Sequence, residues 1–237
     1  MHAAHAQVLT QPDPWGGFVP ATPETSPNQA FPDAATALKQ LQDAAAAALA
    51  ADEAGLVASS PGNEALLWSS LVATAKASLD WATNPLVAAA PVAGPVVPSR
   101  VTVPATADAL ASALAAVNAL GYGLAASLGD ATDPQLRADM SARISAANPQ
   151  RTALEAEIRD AGAAPVPPSL SYPLPQTPGT DDAARANWAQ LESNLADAYI
   201  RLGAAKTGDA AVASACQANL AAAAAAGQPI TWWPGWG

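Results

Sequence analysis

The chain has 237 residues, 51% of them apolar, and a formal net charge of −10 from 20 acidic and 10 basic side chains. The basic residues are scattered, which excludes a phosphate-tracking face for nucleic acid and argues against anionic membranes; the acidic excess is read as keeping an alanine-rich surface soluble. One cysteine leaves no intramolecular disulfide and no cysteine-based metal cluster, and alanine dominance with aromatics at 5% predicts an all-α protein with closely approaching helices.

The opening MHAAHAQ carries an Ala-x-Ala pattern like the end of a secretory signal, without the charged and apolar parts of one. Two readings stand: the given chain starts late, or the match is chance in an alanine-rich sequence. Residues 7–33 hold six prolines and no helical period. With the first residues they form a predicted extended arm over 1–33, laid across the domain through Trp15 and Phe18 in one reading.

A helical pair is predicted over residues 34–84. The first helix begins near Asp33 or Ala34, with Leu38, Leu41, Ala45, Leu49, Asp52 and Leu56 as its stripe, and ends near SSPGN at 59–63. The second starts around Asn63, carries Leu67, Leu71, Ala75 and Leu79 with Trp68 beside them, and stops before Asn84-Pro85. Residues 85–105 read as a linker too rich in proline for a central strand.

The third helix starts after Pro104, with Thr106 as its predicted cap and Asp108 in its first turn. Leu110, Leu114, Val117, Gly121, Leu124 and Leu128 alternate in steps of four and three, as a bundle seam does. Gly121 and Gly123 each lower helix propensity by about 1 kcal/mol, and a close backbone crossing at Gly121 would account for keeping it. Asn118 beside the seam is read as a single interhelical hydrogen bond fixing register, in preference to a ligand contact. The fourth helix opens at Asp133-Pro134. Leu136, Met140 and Ile144 lead to Asn148-Pro149, a pair that can end one helix and start another with Asn148 as cap. Leu154 and Ile158 continue to a stop at Ala161-Gly162.

Residues 163–180 form a second proline-rich crossover. The fifth helix starts at Asp181 or Asp182 with Trp188, Leu191, Leu195, Tyr199 and Leu202 as its seam. Gly208 separates it from a sixth, where Val212, Cys216, Leu220 and Ala223 line up. Cys216 is read as a small core residue. The alanine tract at 221–227 is too short and too weakly apolar for a membrane span, and no unbroken run of about 18 apolar residues occurs elsewhere. Residues 228–237 carry no helical pattern. The sum is a four-helix bundle over 106–227 with an additional N-terminal helical pair.

Several stretches in order carry a likeness. They are LGYG at 120–123, RTALEAEIRDAGAAPVPPSLSYPLP at 151–175, LESNLADAY at 191–199, and the aromatic-proline tail. On these, residues 106–237 resemble a ferritin-like domain family of unknown function, alanine-rich and usually found in exported actinobacterial proteins. EALLWSSLVATAKASLDWA at 64–82 is similar to the helix that often precedes that domain. The resemblance implies a ferritin-like bundle in an exported or envelope-associated protein; otherwise the chain would be cytoplasmic. It also implies a metal site that this sequence departs from. Glu-His before the Gly-Tyr-Gly corresponds to Ala115 and Ala116, and a histidine corresponds to about Asn148. Only Glu192, after Leu191, is retained.

Independently of the resemblance, di-iron bundles draw on Glu-x-x-His pairs, and this chain has none; its two histidines, His2 and His5, lie in the opening residues. Imidazole suits iron, zinc and copper, whereas carboxylates alone suit magnesium, calcium or manganese. Glu192 has two readings: an exposed or hydrogen-bonded helix carboxylate, or a relic metal ligand with Asp52, Glu53, Asp80 and Asp197 as company. If it lies inside, an Arg or Tyr partner is expected. Nucleophile–histidine–acid catalysis lacks its histidine, and phosphate-loop, dinucleotide and nucleophile-elbow patterns are absent. Trp232, Trp233 and Trp236 either fold back as a plug or anchor a partner.

The sequence reading is therefore a non-catalytic ferritin-like bundle without a di-iron site or cofactor. It would serve as a structural or binding module with a protein partner or with itself. Two alternatives stand beside it. One is a metal-binding protein or enzyme with an unusual carboxylate site at Glu192. The other is an adaptor or cargo protein docking through Trp232, Trp233 and Trp236.

Overall fold

A computed structural model of the chain describes residues 33–83, 101–226 and 233–236. Those residues contain six helices and no strand: α1 (Ala34–Ala58), α2 (Asn63–Thr83), α3 (Thr106–Asp130), α4 (Pro134–Asp160), α5 (Asp181–Ala205) and α6 (Ala210–Ala225). The all-α expectation holds. The predicted arm up to residue 32, with Trp15 and Phe18, lies outside the described residues. So do residue 84, residues 85–100 of the linker, and Trp232 in the tail.

Helix starts follow their capping chemistry. Asp33 accepts the Thr36 amide at 2.7 Å. Asp133 accepts the amides of Gln135 and Leu136, with Pro134 in the first helical position. Thr180 accepts the Ala183 amide at 3.1 Å. Each such cap is worth about 1 kcal/mol. Thr106 is different from its prediction. Ala105 occupies the cap position without a side-chain bond, and the Thr106 hydroxyl instead donates to the Ala205 carbonyl at the end of α5. Thr106 is already helical, so its hydroxyl is not placed to accept from the first-turn amides, and its proton goes to a neighbouring helix.

The break that Asn148-Pro149 could make does not occur: α4 runs unbroken from Pro134 to Asp160 with Pro149 inside it. An interior proline costs about 3 kcal/mol or more. Here Leu136, Met140 and Ala147 before it and Leu154 and Ile158 after it are all buried. Ending the helix would misalign one of these two sets, so packing outweighs the local penalty. The stop at Ala161-Gly162 is as expected, with the Ala163 amide returning to the Ile158 carbonyl at 3.0 Å.

α3 packs on α4 and on α5, and α5 packs on α3, α6 and α2. Leu110, Leu114, Val117, Leu120 and Leu124 of α3 meet Leu136, Met140, Leu154 and Ile158 of α4 and Leu191, Leu195, Tyr199 and Leu202 of α5. By length and composition α3 is also apolar enough to cross a membrane; a helix packed in a protein core passes the same test. α2 lies across α5 and α6, where Ala65, Leu66 and Ala73 share a core with Ile200 and Ala204. The main neighbour of α1 is α2, so the early part of its stripe has little to cover it. Ala45 is buried, but Leu38 and Leu41 remain 40% and 38% exposed.

The close crossing expected at Gly121 is displaced by two residues. A Cβ on Gly121 would meet nothing within 4 Å, whereas one on Gly123 would collide with Leu191 and press on Leu174. The crossover before α5 is pinned by Asn187, wholly buried, which accepts the Gln176 amide at 2.8 Å and returns a bond to its carbonyl at 3.0 Å. Asp181 ties the α3–α4 turn to the start of α5 by accepting from the Thr132 amide and hydroxyl.

Candidate functional site

Polar residues at seam positions build the centre of the bundle. On α4 the buried run of Leu136, Met140, Ala147, Leu154 and Ile158 passes through Arg143 and Gln150 at helical spacing. On α6, Asn219 lies between Val212 and Ala223. On α5, Glu192 follows the seam residue Leu191 and is 0% exposed. Its Oε1 accepts from Arg143 Nε at 2.5 Å and from Trp188 Nε1 at 2.9 Å; its Oε2 accepts from Arg143 Nη2 at 2.9 Å. This is the forked pairing that a guanidinium and a carboxylate form best. The Arg or Tyr partner expected for an inward Glu192 is thus Arg143. The same Nη2 donates to Asn219 Oδ1, which also accepts from Gln150 Nε2 at 3.0 Å. Gln150 Oε1 and Asn219 Nδ2 are buried without partners.

The pattern could have identified these residues. A long polar side chain at an apolar seam position signals either a partner across the bundle or a misplaced register. Arg143 is masked in the pattern by Ile144 beside it, which fits the same stripe.

The centre is electrostatically closed. A cation near Glu192 would face the Arg143 guanidinium and compete for oxygens already bonded. Of the proposed company of Glu192, Glu53 pairs with Lys76 at 3.2 Å and Asp197 accepts from the tail; Asp52 stands on α1, whose main neighbour is α2. The Asp80 side chain lies outside the described residues. Among the described residues no three of His, Cys, Asp and Glu gather as a metal site. Nearby protic groups are poor nucleophiles. Burial, with help from the Glu157 charge, pushes the Tyr199 hydroxyl up to about 12. Burial also pushes the Cys216 thiol up to about 12, against the pull of Lys76.

Of the three tail tryptophans assigned to a partner, Trp233 and Trp236 fall among the described residues. Trp233 is buried against Leu67 and Leu71 of α2, and Trp236 packs at its edge with ring centroids 6.4 Å apart. Between them Gly235 is held at both ends of its peptide units. Its amide donates to Asp197 at 2.7 Å, and its carbonyl accepts from Arg201 Nε at 2.7 Å. Gly235 has φ +86°, and a Cβ there would strike Ile200. Only glycine meets both demands.

Two cavities flank this frame. One, of about 280 Å³, lies between the first helical pair and α5–α6; Val72, Ile200, Val212 and Cys216 are among its lining, with Lys76 also present. The other, of about 260 Å³, lies between α3, α4 and the crossover. Asn118 lines the second. The interhelical hydrogen bond expected of it is not made among the described residues, because open space rather than a facing polar group lies beside its amide. Of the positions that the sequence resemblance sets against metal ligands, Ala115 and Asn148 are exposed and Ala116 is part-buried; Asn148 borders the same cavity.

Comparison with known proteins gives one family. Residues 105–233, a little over half of the chain, match a family described as a domain of unknown function, DUF4439. No curated protein and no solved structure matches the chain.

Proposed function

The chain belongs to the DUF4439 family, and on that premise we propose that it is a non-catalytic ferritin-like bundle without a di-iron site, serving as a structural or binding module of the cell envelope or exterior. The ferritin-like part is supported by topology. α3 and α4 are joined by a short turn, α5 and α6 by another, and one long connection over 161–180 separates the pairs. The exported setting rests on the likeness of residues 106–237 to exported proteins.

The observation that carries the non-catalytic reading is the forked Arg143–Glu192 pair. A ferroxidase centre needs several anionic and imidazole ligands turned on two cations. In this bundle the retained acid is spent on a guanidinium. The tail belongs to the same reading: Trp233 and the clamp on Gly235 make residues 233–236 a plug for the α2–α5 core.

Metal analysis tests this. Purified protein incubated with Fe(II), and separately with Mn(II), then desalted, is expected to retain well under one equivalent of either. Stoichiometric retention that is lost in Glu192→Gln would overturn the reading and establish an acidic metal site in its place.

A further inference from the structure

The cleft between α3, α4 and the crossover has features that the bundle's own stability does not explain. Of the described lysines and arginines, Arg151 alone makes no hydrogen bond and no ion pair. Lys39, Lys76, Arg143, Arg159, Arg185 and Lys206 hold carboxylates. Arg137 and Arg201 hold carbonyls. In a chain with twice as many acids as bases, a half-buried guanidinium without an anion is conspicuous. Asn118 faces the same space. It is 9% exposed, yet its amide has no partner among the described residues.

The rest of the cleft suits a planar apolar body. Val117 and Ile144 give one wall. Tyr122 and Tyr172, with ring centroids 5.7 Å apart, give another. The Tyr172 hydroxyl accepts from the Ser169 amide at 3.0 Å, which fixes the rim. Gly121 opens the floor, since nothing lies within 4 Å of where its Cβ would be. No Asp or Glu lines the cavity.

We propose that this cleft binds a small monocarboxylic acid carrying a ring, with its carboxylate on Arg151 and its ring beside Tyr122 and Tyr172. A guanidinium fork matches a carboxylate in two bonds. A phosphate would bring a second charge to a site with one cation, set mid-helix on both α3 and α4, so no helix N-terminus helps to hold it. The volume of about 260 Å³ limits the ligand to a single ring. The inference deepens the binding-module reading and rests on it. The cleft lies on a different face of α4 from Arg143 and Gln150, so the metal test and the ligand test fail separately.

Calorimetric titration of the full chain tests it, with benzoate, its neutral analogue benzamide, and inorganic phosphate as probes. Benzoate is expected to bind once per chain with a Kd on the order of 1 mM or tighter, with benzamide and phosphate at least about tenfold weaker. Arg151→Gln should remove binding and Arg151→Lys should retain part of it. Gly121→Leu should fill the cleft, keep the helical circular dichroism, and no longer bind. The proposal is overturned if benzoate and benzamide bind alike, if phosphate matches benzoate, or if Arg151→Gln binds as the parent does. No saturable benzoate binding up to on the order of 10 mM would also end it. Should Gly121→Leu not fold, the Arg151 pair decides alone.

Discussion

Replacing Glu192 with Gln keeps the shape of the side chain and removes its charge. In the folded protein Arg143 is then left at 11% side-chain exposure with no anion. It keeps Asn219 as an acceptor, but its two short bonds to a carboxylate become one bond to a neutral oxygen at best. Breaking one partner of a buried pair costs about 3–5 kcal/mol, chiefly because the survivor stays charged and desolvated. For a domain of this size each kcal/mol is worth about 2–4 °C, so Tm should fall by about 6–20 °C. Urea denaturation gives the free energy directly, and an unchanged slope would show that the unfolding reaction is the same. Arg143→Met alone should cost a similar amount, as Glu192 and Trp188 Nε1 lose their arrangement. The double variant Arg143→Met with Glu192→Leu should return to within about 2 kcal/mol of the parent, since an apolar replacement removes both desolvation terms. The cycle would then show strong coupling. A loss below about 1 kcal/mol for Glu192→Gln, or additive losses in the double variant, would refute the idea that this pair closes the bundle centre.

Three further outcomes are expected. Trp233→Ala should destabilise by about 3–5 kcal/mol, and Gly235→Ala should destabilise too, through its positive φ and its contact with Ile200; native-like urea midpoints for both would show that the tail is not part of the core. Burial pushes the Asp52 carboxyl from 3.8 up to about 6, so the folded state holds its proton more tightly than the unfolded chain does. Its contribution is complete below about pH 4 and is lost as pH rises through about 6. Asp52→Asn should therefore raise Tm at about pH 7.5 and leave it unchanged at about pH 3.5, and an equal shift at both would contradict the burial argument. Cys216, with its thiol pushed up to about 12, should react with a disulfide reagent at about pH 8 far more slowly than a free thiol; labelling at the rate of a free thiol would show an ionised thiolate.

Much of this protein was written in local pattern. Capping residues and seam spacing placed the helices to within a residue or two, because amides at a helix start need acceptors and apolar faces recur every three or four positions. The same spacing put Glu192 beside the seam and made an arginine or tyrosine its expected partner. Where local pattern misled, a distant group had intervened. Pro149 was held inside α4 by packing on both sides of it. The close crossing fell at Gly123, where Leu191 arrives, and left Gly121 facing open space. Which arginine meets Glu192, and which arginine is left without an anion, depends on how α3, α4, α5 and α6 stand against one another. The sequence alone determined that helices form and which faces they bury, since those are properties of neighbours along the chain. Only the tertiary structure decided which charges are neutralised and where a cavity remains, because both are set by side chains dozens of residues apart competing for the same space.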